Sequence, residues 1–223
     1  MEVTTEMVLT ATPKKQREFV FPTKQKNHKH INKALGQWLD IHFGDTSFNG
    51  RAVIGYRKPK NDAILPLKAC LLTGLRQYMT LIHVSSRLDY YITANTVTGQ
   101  NRRMENLFGL HNIVIDIDCH NDNHPHAVPS LVEAFIWRSK HDLFEGGVIP
   151  TPNSIVRTGR GVQFWWAIKP CYGGKGYDKS RYHHDKIKNT FMDHIEVMLG
   201  QYEDEMGGLS IDRGASSNPV GYF

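Results

Sequence analysis

The chain has 223 residues, 40% hydrophobic and 22% charged, which excludes disorder and a fibrous repeat and allows one large core or two small ones. Its net charge of +5 is uneven: from Met1 to Lys60 eleven Lys or Arg stand against five acids, leaving +6 there and −1 over the rest. That asymmetry points to a polyanion, nucleic acid first, as partner of the N-terminal third.

Cys70, Cys119 and Cys171 are far apart with no CxxC, so a reducing compartment is expected rather than a disulfide framework. No apolar run approaches the roughly 18 residues of a membrane span, and no signal-peptide core opens the chain. A cytoplasmic protein without a membrane partner is the expectation.

In chain order, residues 1 to about 30 are polar and Lys-rich, with Pro13 and Pro22 limiting regular structure. An amphipathic helix is predicted over 29–43, with Ile31, Leu35, Trp38, Leu39 and His42 on one face and Gly44 as its stop. VIGY (53–56) reads as a strand and KPKND as a loop. The apolar stretch 66–85 reads as a helix, and DYYIT (89–93) as a strand. TANTVTGQNRRMENL reads as a loop entering a helix that leads into the strand NIVIDID.

A polar, His-rich loop 119–129 follows. Ser130 and Glu133 have the spacing of a capping box for a helix over 130–143. SIVRTG and VQFWWAI read as a hairpin about TGRG. GGKG is a flexible link, 180–199 a helix with Ile187, Phe191, Ile195 and Met198 on one face, and LSIDRG a last strand or turn. The fold class expected is α+β. From Asn112 the order strand, helix, strand, strand, helix, strand is the ferredoxin-like or RNA-recognition-like arrangement.

Asp116 and Asp118 interrupt an otherwise apolar strand. Residues i and i+2 point to one face, so the two carboxylates converge while Ile113, Ile115 and Ile117 face the other layer. Such a pair either holds a proton or shares a cation. Hard oxygen ligands suit Mg²⁺ or Mn²⁺, and two such ions about 3.5–4 Å apart manage an in-line displacement at phosphorus. The plainer reading is a strand that ends early with both acids capping an exposed loop.

In RTGRGVQFWW, glycines let backbone N–H groups approach an anion, Thr158 offers a hydroxyl and Arg160 a planar fork. The plainer reading is a hairpin turn with exposed arginines. Asp212 in LSIDRG is a third acid within an apolar stretch; its plainer reading is a surface pair with Arg213. Cys119, His120, His124 and His126, with Cys171, His183 and His184 further on, match no standard zinc knuckle and read as polar surface residues. Trp165 and Trp166 face opposite ways, one toward the core and the other open to stack on a base.

NIVIDID, RTGRGVQFWW and LSIDRG, in that order, resemble the archaeo-eukaryotic primase superfamily, whose core carries hhhDhD, then an S/T-G-R-G-h-H-like element, then hD. The lead-in DYYITANTVTGQNRRMENLFGL is similar to the stretch before the first motif in primases of plasmids and phages. The resemblance covers roughly 89–223. It implies a primase-like core in which a basic N-terminal α/β module (1–105) and a ferredoxin-like module (106–223) form one catalytic domain.

It further implies that Asp116, Asp118 and Asp212 hold Mg²⁺ or Mn²⁺, and that Thr158, Gly159, Arg160 and Gly161 hold the triphosphate of an NTP or dNTP. Single-stranded DNA would be the template. One departure is Gln163 where the family has His; glutamine still donates a hydrogen bond but carries no charge, and is read as a variant phosphate ligand. The family continues as R-h-P-G where this chain reads VGYF, so a longer replication protein with a helical or helicase part is expected. A non-catalytic DNA-binding initiator and a metal-dependent nuclease are the alternatives.

Overall fold

The computed structural model describes residues 17–19, 28–44, 50–57, 63–85, 89–120, 128–158, 160–173 and 177–223. Strands are β1 (Arg17–Phe19), β2 (Arg51–Arg57), β3 (Leu65–Leu71), β4 (Asp89–Ile92), β5 (Thr96–Val97), β6 (Leu107–Asp118), β7 (Ser154–Arg157), β8 (Gly161–Tyr172) and β9 (Ser210–Ile211). Helices are α1 (His28–Phe43), α2 (Leu72–Ser85), α3 (Pro129–Arg138), α4 (Tyr177–Gln201), α5 (Glu203–Met206) and α6 (Arg213–Ser217). The protein is α+β. Its strands form one sheet in the order β1-β7-β8-β6-β5-β2-β3, with β4 beside β2 and β9 beside β6.

Within that sheet β9-β6-β8-β7 are antiparallel neighbours, with α3 between β6 and β7 and α4 between β8 and β9. These are two interleaved split βαβ units, in the order read from Asn112 onward.

The period-two alternation of β6 divides the core. Ile113, Ile115 and Ile117 join Val162, Phe164 and Trp166 of β8 under α3 and α4, whose Phe135, Phe191, Met192 and Ile195 are buried there. Val114 and Trp165 face the other way, onto Leu35, Trp38 and Leu39 of α1 and Leu72 and Leu75 of α2. Trp38 meets Trp165 edge-on at 4.8 Å. Both adjacent tryptophans are therefore core residues, 1% exposed, and neither is open to a base.

Several local expectations are corrected. The stretch 66–85 is a strand followed by a helix, because β3 hydrogen-bonds along β2 from Leu65 to Leu71 before α2 begins; tertiary pairing overrides the apolar pattern. Arg102 and Arg103 open only a 3-10 turn, Met104–Asn106. The Arg102 guanidinium lies 4.3 Å from the Tyr222 ring centre and Arg103 pairs with Glu105. Ser130 and Glu133 form no capping box: Val128 is the N-cap without a side-chain bond, Pro129 sets the first turn, and Glu133 pairs with Arg157. No helix among the described residues is long and apolar enough to cross a membrane.

Candidate active site at the end of the central strand

Asp116 and Asp118 share the Val114 face of β6. On one side Asp116 is paired with Gln163 and Asp118 with Gly161. On the other, β9 pairs Ile117 with Ile211 and Asp118 with Ser210. One further step of that register puts Asp212 opposite Asp116, and the Asp212 N–H donates to the Asp116 carbonyl at 2.9 Å. Two rows thus cross the sheet on one face: Gln163–Asp116–Asp212, then Gly161–Asp118–Ser210. The third acid lies beside the first two on that face.

A single-turn helix fixes Asp212. Its Oδ1 accepts from Ala215 N at 2.8 Å, the N-cap of α6, and Ser216 Oγ accepts from Asp116 N at 3.0 Å. From the far side the buried Lys188 of α4 donates to Ser217 O (3.0 Å) and Asp185 Oδ1 (3.1 Å). The turn carrying Asp212 is therefore clamped between β6 and α4. Arg213, next in sequence, turns away to Glu196 and Asp193 rather than pairing with Asp212.

Sequence reasoning missed Lys188 and misassigned His184 to the surface. His184 is buried and its Nε2 donates to Asn112 O at 3.0 Å. The signal was present: His184, Lys188, Phe191 and Ile195 follow the helical spacing of one buried stripe.

The electrostatics of the acids are unbalanced. Burial, with the charges of Asp118 and Asp212, pushes the Asp116 carboxyl up to about 7; a hydrogen bond from Gln163 and the Arg160 charge pull the other way. Asp118 is also raised, by burial first and by Asp212, against His120 and Arg160. Gln163 is buried, and its Oε1 accepts from the Trp165 indole at 3.2 Å. That bond turns its amide NH₂ toward Asp116, so Gln163 here serves the acid.

The TGRG turn closes on itself. Thr158 N–H donates to Gly161 O at 2.8 Å, and Thr158 Oγ1 accepts from Gly161 N (2.8 Å) and Arg160 N (3.3 Å). Gly159 lies outside the described residues. A Cβ at Gly161 would overlap the Ile117 carbonyl oxygen, so only glycine lets β8 come this close to β6. The Arg160 guanidinium meets His120 Nε2, and His120 Nδ1 lies 3.3 Å from Asp118 Oδ1. Arginine only donates, so Nε2 is the acceptor there, while Nδ1, near Asp118 in distance, makes no hydrogen bond among the described residues.

Cys119, read from the sequence as a polar surface residue, is instead a core residue. Cys119 is fully buried and its thiol is pushed up to about 12, first by burial and then by Asp118 and Asp116. His124 and His126 lie outside the described residues.

A divalent cation fits the acids by donor chemistry: three hard carboxylates oppose one guanidinium, and Asp116 is pushed toward keeping a proton where no cation stands. The side chains do not already enclose an ion. Among the described residues no group of three His, Cys, Asp or Glu closes around a metal. Asp212 is turned to its helix cap and Asp118 to His120, which accounts for the open arrangement. No family model, curated protein or solved structure matches the chain.

Proposed function

We propose that the chain is the catalytic part of a primase-polymerase, which makes or extends primers on single-stranded DNA by nucleotidyl transfer from an NTP or dNTP. The observation that carries this reading is the row Gln163–Asp116–Asp212, with Asp118 in the next row beside the TGRG turn. It gathers three separate motifs onto one face. The ferredoxin-like order β9-β6-β8-β7 goes with a primase-like core.

Asp116, Asp118 and Asp212 would hold Mg²⁺ or Mn²⁺. Bound there, the metal supplies activation of the attacking 3′-hydroxyl and charge neutralisation of the leaving pyrophosphate. Arg160, exposed at the turn next to Asp118, engages the triphosphate as a planar donor. Gln163 steadies the Asp116 carboxylate in its ionised form.

The test is primer synthesis on single-stranded DNA with Mn²⁺, comparing wild type with Asp116→Ala and Asp118→Ala. Each substitution is expected to lower synthesis by about 10³-fold, the scale of losing a principal charge-stabilising group. Variants as active as wild type would falsify the assignment. DNA binding without product would instead favour an initiator, and nucleotide-independent DNA degradation a nuclease.

A further inference from the structure

Between α2 and the outer strand β3, at the edge of the sheet, lies a groove of about 460 Å³. Arg51, Lys68, Leu71, Gly74, Gln77 and Tyr78 are among the residues that line it. The lining includes two cations and no acid, and no carboxylate among the described residues pairs with either cation. Lys68 is exposed, with its ammonium held 4.6 Å from the centre of the Tyr78 ring. Leu71 is exposed as well, at 37%. Nothing stands within 4 Å of where a Cβ on Gly74 would be, so this part of the groove is open.

We propose that the groove binds a segment of single-stranded nucleic acid. The cations answer the phosphodiester charge, while Tyr78 and Leu71 offer apolar surface to unstacked bases. Its volume suits one or two nucleotides, being at the lower end of small-molecule sites. A duplex keeps its bases stacked inside and would leave Tyr78 and Leu71 unmatched.

The ladder Leu71–Arg51–Val97–Leu107 puts Lys68 level with Leu110, six residues before Asp116 on β6 and three strands away. That is roughly 20 Å along and 15 Å across, several nucleotides from the acids. The groove would hold template remote from the reacting end. In that role it rests on the primase-polymerase reading, but binding itself does not.

Fluorescence anisotropy of labelled oligothymidylate, measured in EDTA, tests the groove without metal or turnover. Lys68→Glu and Gly74→Glu are expected to weaken binding about tenfold and to flatten the salt dependence by about one counterion for the lysine. Lys186→Glu, the same charge change at an exposed position of α4, is the control and should stay within about twofold. Circular dichroism confirms that each variant is folded. Groove variants that bind like the control, wild type that binds no single strand, or equal affinity for duplex each overturn the inference. Loss of primer synthesis in Asp116→Ala, or its persistence, bears on the catalytic reading alone.

Discussion

Strand β6 carries two polar intrusions, one in its middle and one at its end, and their surroundings could hardly differ more. Asn112 is 1% exposed and fully matched. Its Nδ2 donates to Ala94 O (2.8 Å) and His42 O (3.2 Å), and its Oδ1 accepts from His42 Nδ1 at 2.7 Å. His42 Nε2 in turn accepts from Ser154 Oγ, and burial holds that imidazole down at about 4, hence neutral. Four residues on, Asp116 has Gln163 as its side-chain donor and two further carboxylates in its field. A polar group that the protein itself satisfies belongs to the fold; a charge left in surplus is what a ligand must complete.

Exchanging the two chemistries is the strongest way to break that comparison. Asn112→Asp sets a carboxylate against two carbonyl oxygens in a closed site, and urea unfolding at pH 7 should show a loss of roughly 3–5 kcal/mol. Little or no loss would mean that the middle cluster is not the matched site described. Asp116→Asn should do the reverse. The folded-state value of about 7 lies above the unfolded 3.8, so the contribution of Asp116 is full below about pH 4 and is lost as pH rises through 7. In EDTA at pH 8 the Asn variant should gain up to about 4 kcal/mol over wild type, and nothing at pH 4. An equal gain at both pH values would show that the surplus charge is not its source.

The smallest effect concerns Gln163. Gln163→Leu removes the donor that pulls Asp116 down, so the carboxyl midpoint, followed by carbon-13 NMR, should rise relative to wild type. Gln163→His keeps a donor, and primer synthesis should be equal or higher. A sharp fall would show a role for the amide that imidazole cannot fill.

What the sequence made legible follows from which forces are local. The split βαβ order could be read because β6, the hairpin of β7 and β8, and α4 each announce themselves by periodicity, and Gly161 marks the turn. The adjacency of Asp212 came from motif order, since nothing local in LSIDRG says which strand it will join. The strand β3 was hidden because its conformation is imposed by pairing with β2, which the apolar pattern of 66–85 does not reveal. Glu133 is attractive as a capping partner until Arg157 arrives from another element. The buried Lys188 was hidden for the opposite reason: a charged residue on an apolar stripe reads as an exception until its partners Asp185 and Ser217 are known.

The self-closed TGRG turn also bears on selectivity. With the Thr158 hydroxyl already accepting from the amides of Arg160 and Gly161, an incoming anion competes with an intramolecular occupant rather than entering a vacant nest. Chloride or a lone sulfate has little to offer against it. On the primase-polymerase reading, an oligophosphate that also engages the Arg160 side chain would displace the hydroxyl, and the threonine would then admit ligands by charge and reach.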